Sequence, residues 1–244
     1  MRTGPSKQCS LTITSNYYGA VALRCGGPFS EVDMRLRHNP KADIAVENSE
    51  YVEQDPKARK GHWHDLFGND NPIHIEIGMG KGNFIMTLAS QNPDINYVGI
   101  ERVPTVLYKA LKKQEEMKLQ NLVFMAFNAD EINEVFEKDE VERIYLNFSD
   151  PWPKDRHALR RLTSPKFLKL YDCFLKDDGI IEFKTDNRAL FDYSLLAAPE
   201  AGWKVRDITN DLHHSEYAVG NIMTEYEMKF SAMGIPINKM VIYR

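Results

Sequence analysis

From Ile73 onward the chain alternates short apolar runs with segments of helical period, and this alternation restricts the fold more than any other feature. The runs IHIEI (73–77), INYVGIE (95–101), LVFMAF (122–127), RIYLNFS (143–149) and GIIEFKT (179–185) read as buried strands. Between them, Phe84, Ile85, Leu88 and Ala89 fall on one helical face, as do Val103, Leu107, Ala110 and Leu111. Asn92-Pro93 and Asp178-Gly179 predict helix-to-strand turns. Strands that alternate with helices predict parallel βαβ units, hence an α/β protein with an open sheet and helices on both faces. After Trp203 the segments WKVRDI and EYEMKFSA read as strands, so an antiparallel edge is expected to finish the sheet.

The 244 residues suffice for one large domain with a well-buried core, or for two small ones. No apolar run approaches the length needed to span a bilayer as a helix. Cys9, Cys25 and Cys173 follow no recurring spacing, which argues against a disulfide framework or a zinc site. Cys173 falls in the helical pattern SPKFLKLYDCFL and is expected to pack in the core, while Trp63 and Trp203 are expected to be core or hinge residues. His62, His64, His213 and His214 lack metal-ligand spacing, so no metal is expected. A net charge of −4 excludes a surface that is basic throughout, but residues 154–169 hold Lys154, Arg156, Arg160, Arg161, Lys166 and Lys169 against one acid, Asp155. Residues 1–33 show no sustained period and are expected to be a disordered leader or extension.

In open parallel sheets, ligands bind at the carboxyl ends of the strands. The first run ends in EIGMGKGNF, with Glu76, Gly78, Gly80 and Gly82 ahead of a helix. Strand–Gly-x-Gly–helix also serves nicotinamide and flavin cofactors. Here the spacing is G-x-G-x-G, and a carboxylate lies two residues before the first glycine. That carboxylate disfavours a pyrophosphate and suits a cationic ligand carrying an ammonium and a sulfonium, S-adenosyl-L-methionine. Glu101, at the second strand end, can accept both ribose hydroxyls. At the third, Asn128 or Asp130 can read the adenine edge. The bland alternatives are a carboxylate at a helix start for Glu101 and an N-cap for Asn128 or Asp130.

The fourth run delivers Asp150-Pro151-Trp152-Pro153, and this architecture places strands one and four side by side. The prolines fix their own φ and restrict the residues before them, so Asp150 and Trp152 are expected in a rigid turn. NFSDPWPKDRHALRRLT, with FKTDN (183–187), MTEYEMKF (223–230), MRLRHNPKA and IHIEIGMGKGNFI, resembles the bacterial tRNA (guanine-N7-)-methyltransferase family.

The resemblance covers Met34 to the C-terminus. It implies one methyltransferase domain over 34–244, with an N-terminal arm (34–72) and a catalytic core (73–244). The implied fold is the class I S-adenosylmethionine-dependent, Rossmann-like one: a mostly parallel seven-stranded sheet with an antiparallel edge. The implied reaction moves a methyl group from S-adenosyl-L-methionine to N7 of guanine 46 in the tRNA variable loop, leaving S-adenosyl-L-homocysteine. Glu76, Gly78, Gly80, Gly82, Glu101, Asn128 and Asp150 would line the cofactor site, and Asp150 would be catalytic. Lys154, Asp186, Thr224, Glu225, Tyr226 and Glu227 would contact the substrate. Arg156, His157, Arg160 and Arg161 would lie against RNA. The family often has Asp where this chain has Asn128. A cytoplasmic monomer or homodimer, free of the membrane, is expected. The alternative is a non-catalytic RNA-binding subunit on a methyltransferase scaffold.

Overall fold

The computed structural model describes residues 39–244; the reading of residues 1–33 and the start of the arm lie outside them. The expected strands appear as β1 (Ile73–Ile77), β2 (Asn96–Ile100), β3 (Leu122–Met125), β4 (Val141–Asn147) and β5 (Leu175–Thr185), followed by β6 (Lys204–Thr209) and β7 (Asn238–Tyr243). They form a seven-stranded sheet in the order β3-β2-β1-β4-β5-β7-β6. All pairings among β1–β5 are parallel, whereas β7 runs antiparallel to both β5 and β6.

Side-chain alternation divides the core into two layers. Ile73, Ile75 and Ile77 of β1 join Val98, Ile100 and Ile144 on one face, with Phe167, Leu168 and Phe191 packed over them. Tyr97, Leu122, Phe124 and Tyr145 point to the other face, against Phe84, Ile85, Leu107 and Leu111. A strand covered on both faces reads as an uninterrupted apolar run, which is why these five were visible in sequence. The helices among those layers, with their neighbours, are α1 (Pro40–Glu47), α2 (Trp63–Phe67), α3 (Asn83–Gln91), α4 (Pro104–Met117), α5 (Pro165–Tyr171), α6 (Arg188–Glu200) and α7 (Glu225–Ala232).

The arm contributes to the sheet as well. Phe124 donates its N–H to the Tyr51 carbonyl, Glu53 donates to the Phe124 carbonyl, and Val52 bridges Phe124 in parallel. This contact covers part of the open β3 edge, which would otherwise offer unpaired backbone groups. Trp63 is fully buried, stacks on Phe136 at 5.1 Å and donates its indole N–H to the Val135 carbonyl at 2.9 Å. Trp203 is also buried.

Three expectations are corrected. EYEMKFSA is helix α7, not a strand, because Thr224 and Glu227 form a reciprocal capping box at its start. Asp178-Gly179 does not separate α5 from β5: the strand begins at Leu175, and the extra residues are absorbed as a register shift opposite Val141 and Arg143. Cys173 is exposed, because α5 stops at Tyr171 before the thiol turns inward. Among the described residues no helix is long and apolar enough to cross a membrane.

Candidate active site

Glu76 sits at the penultimate position of β1, 2% exposed and facing away from its isoleucine neighbours. Its Oε1 accepts a hydrogen bond from Asn147 Nδ2 on adjacent β4 at 2.9 Å. Its Oε2 is buried with no protein partner. Burial pushes this carboxyl up from 4.5 to about 8, against the opposing pull of Asn147, Lys184 and the nearby Ile85 N–H. A buried acceptor without a donor is costly unless a ligand supplies one.

The loop that follows is left-handed at Gly78, Gly80 and Gly82, with φ of 79°, 60° and 73°. A Cβ at Gly78 or Gly80 would meet nothing within 4 Å, so the loop has open space on that side; at Gly82 it would come within 3.0 Å of Ala110 Cβ. Glu101 braces the loop from the end of β2: its Oε2 accepts from the Gly80 N–H at 3.1 Å and its Oε1 from the Val103 N–H at 3.0 Å. Each oxygen keeps a further lone-pair direction for ribose hydroxyls. Asn128 does form an N-cap, accepting from the Asp130 N–H at 3.3 Å, while Asp130 is held by Lys166.

The fourth strand ends in an unusual backbone. Phe148 and Trp152 both have positive φ, 52° and 41°, and Asp150 lies between them. A left-handed conformation costs a non-glycine residue roughly 1–2 kcal/mol, so two within five positions must be held by their surroundings. Asp150 is exposed at the strand end, yet the protein around it raises its carboxyl above the ordinary aspartate value, with Arg102 pulling the other way. Arg102 follows Glu101 directly and escaped the sequence reading.

Arg161 stands apart from the rest of the basic segment: it is only 9% exposed. Its Nε donates to the Pro151 carbonyl at 3.1 Å and a terminal nitrogen to the Trp152 carbonyl at 3.0 Å. The rest of the basic segment is more open. Lys154 and Arg156 are exposed, Arg160 lies over the Trp152 ring at 4.8 Å, and half-buried His157 meets that ring edge-on. Desolvation, and then the charges of Arg160, Arg156 and Lys154, hold the His157 imidazole below its ordinary value.

The run Thr224–Glu227 separates in two. Glu227 is fully buried: Lys184 of β5 donates to it at 2.7 Å, and Asn221 donates at 2.6 Å. Thr224, also buried, caps α7 through the Glu227 N–H at 3.0 Å. Both side chains are buried and organise the start of α7. Tyr226 is exposed beside Phe148 and Phe230, with ring centroids 6.3 Å from each. Glu225 bonds Lys81 of the glycine loop at 2.6 Å and Asn83 at 2.5 Å. Asp186 stands half-buried just past β5, its carboxyl raised by desolvation. The Lys184 and Asn147 partners of this site escaped sequence reading because each bond links residues far apart in the chain.

A family model described as "Putative methyltransferase" matches residues 70–240. The tRNA (guanine-N(7)-)-methyltransferase of Lachnoclostridium phytofermentans is 58% identical over 211 residues, covering 86% of this chain and 99% of that protein. The Bacillus subtilis protein of the same name is 52% identical over 205 residues, 84% of this chain and 96% of that one. Two solved structures share the fold at low identity. An antibiotic-related methyltransferase is 21% identical with a TM-score of 0.56, covering 75% of this chain and 92% of its own. The 16S rRNA methyltransferase KamB is 14% identical with a TM-score of 0.56, covering 75% and 91%. With identity above one half over more than four fifths of the chain, and nearly the whole length of each relative covered, the chain belongs to the tRNA (guanine-N(7)-)-methyltransferase family.

Proposed function

We propose that this protein methylates N7 of guanine 46 in the variable loop of tRNA, in the cytoplasm, as a monomer or homodimer. The observation that carries the reading is Glu76 Oε2, a buried acceptor without a protein donor at the strand end beside the open glycine loop. It suits the ammonium of S-adenosyl-L-methionine. When bound, that group supplies an electrophilic methyl on a sulfonium. Glu76 would hold the amino-acid end, Gly78–Gly82 would admit it closely, Glu101 would take the ribose and Asn128 the adenine edge.

Guanine N7 carries an in-plane lone pair and no proton at neutral pH, so a strong base is not needed. Methylation leaves the purine cationic, and Asp150 at the neighbouring strand end stabilises that developing charge while orienting the base. Holding nucleophile and methyl in line can supply about 7–11 kcal/mol. Asp186, Lys154, Tyr226 and Glu225 border the acceptor side, and Arg156, His157 and Arg160 would meet the phosphates. The test is incubation of unmodified tRNA with labelled S-adenosylmethionine and the protein, then borohydride–aniline cleavage. One cut in the variable loop is expected; label without such a cut refutes the substrate.

Glu76 gives a pH signature. Its folded pKa is raised, so its contribution to stability is fully present below its ordinary value of 4.5 and is lost as pH rises through about 8. A cationic ligand favours the ionised carboxylate, so binding near pH 7 releases a proton and affinity rises from pH 6 to 8. Calorimetry in buffers of different ionisation enthalpy reads this release directly. Glu76→Gln is expected to abolish the release and weaken binding; an unchanged release would assign the proton to another group.

A further inference from the structure

Phe148 and Trp152 bracket Asp150 with left-handed backbones, and Trp152 is additionally followed by a proline, which narrows the conformations open to it. Something must hold the Trp152 peptide in place. Arg161 bonds this turn twice: its guanidinium spans the successive carbonyls of Pro151 and Trp152 at 3.1 and 3.0 Å. The other face of the guanidinium lies 4.2 Å from the ring centroid of Tyr193 on α6. Two residues on, Thr163 is fully buried and bonds Ser194 of the same helix at 2.6 Å. The turn is therefore riveted to α6, an element of the core, and not merely stiffened by its prolines.

We propose that Arg161 is a positioning residue for methyl transfer: it locks the Pro151–Trp152 peptide groups against α6 and so aims Asp150, and it is not part of the RNA-binding surface. This rests on the reading of Asp150 as the catalytic group. The chemistry required is a planar fork that reaches two carbonyl oxygens while its flat face stacks on an aromatic ring. Arginine supplies this and lysine does not. Arg156, exposed on the same basic segment, is the natural contrast: its side chain is open to solvent and can meet a phosphate.

The test compares Arg161→Lys, Arg161→Ala, Arg156→Ala and Asp150→Asn in the full-length protein. Three quantities are read: the single-turnover rate with saturating tRNA and S-adenosylmethionine, the salt dependence of tRNA affinity, and the fluorine resonance of 5-fluorotryptophan at position 152. Arg161→Lys and Arg161→Ala are expected to slow methyl transfer by up to about 10²-fold, the penalty of a misplaced reacting geometry. Both should shift the Trp152 resonance and leave the salt slope at its wild-type value. Added methylguanidine should restore part of the Arg161→Ala rate. Arg156→Ala should lower the slope by about 0.7–0.9 with the resonance unmoved. If either Arg161 variant lowers the slope as Arg156→Ala does, with the resonance and rate unchanged, the clamp is overturned and Arg161 is an RNA contact. The resonance does not depend on chemistry. A shifted resonance in Arg161→Lys together with full activity in Asp150→Asn would place the failure in the reading of Asp150, not in the clamp. Should Arg161→Ala fail to fold, Arg161→Lys alone decides, because it preserves charge and bulk.

Discussion

Asp150→Asn is expected to lower the single-turnover methylation rate by about 10²–10³-fold, the usual cost of removing one preorganised electrostatic group. Affinity for S-adenosylmethionine should change far less, because Glu76, Glu101 and the glycine loop stay in place. Asparagine keeps the volume and can still accept a hydrogen bond, so the turn and its Arg161 clamp should survive. What it loses is the negative charge beside a purine that becomes cationic. The pH–rate profile carries a second signature. Desolvation raises the Asp150 carboxyl above 3.8, so the wild-type rate should fall on the acid side at a pH above the ordinary aspartate range. That limb should vanish in the variant. A steep acid limb that persists at an undiminished rate would remove Asp150 from the chemistry.

The parts of this fold legible in sequence are those whose signal is local. Buried parallel strands announce themselves as apolar runs, and glycines at the first strand end announce a loop with left-handed backbone. The C-terminal helix was misread for a reason that can be located. Tyr226, Met228 and Phe230 alternate with polar residues in strict period two, and Tyr226 and Met228 are exposed because α7 borders the site rather than filling a core. The contrary signal was present in Thr224-x-x-Glu227, whose spacing is that of a capping box. Arg161 was illegible for another reason: a guanidinium that binds the backbone of its own turn looks in sequence like one more cation in a basic run. Lys184 escaped altogether, since what makes it notable is a partner 43 residues away.

That partnership predicts the largest stability effect in the molecule. Lys184 and Glu227 form an ion pair with side-chain exposures of 5% and 0%. The ammonium also donates to Asn221 Oδ1 at 3.0 Å and to the Ile222 carbonyl at 2.9 Å, and the carboxylate accepts from Asn221 and the Thr224 N–H. Burial alone would lower the Lys184 pKa, and Glu227 is the main group that opposes it. Glu227→Ala therefore strands a buried cation and uncaps α7, and should cost about 3–5 kcal/mol. For a domain of this size each kcal/mol lowers Tm by about 2–4 °C, so thermal unfolding should fall by roughly 6–20 °C. In Lys184→Met combined with Glu227→Gln no charge is left to strand, and glutamine can still accept from the Thr224 N–H. The double variant should therefore lose less than Glu227→Ala alone, despite carrying two changes. Its activity should recover with its stability only in part, because Glu225, two residues earlier on α7, carries the bond to Lys81 in the glycine loop and depends on where the helix is pinned. If the double variant is less stable than Glu227→Ala, the stranded charge is not what holds this corner together, and the pin must be ascribed to the capping box and the Asn221 bonds instead.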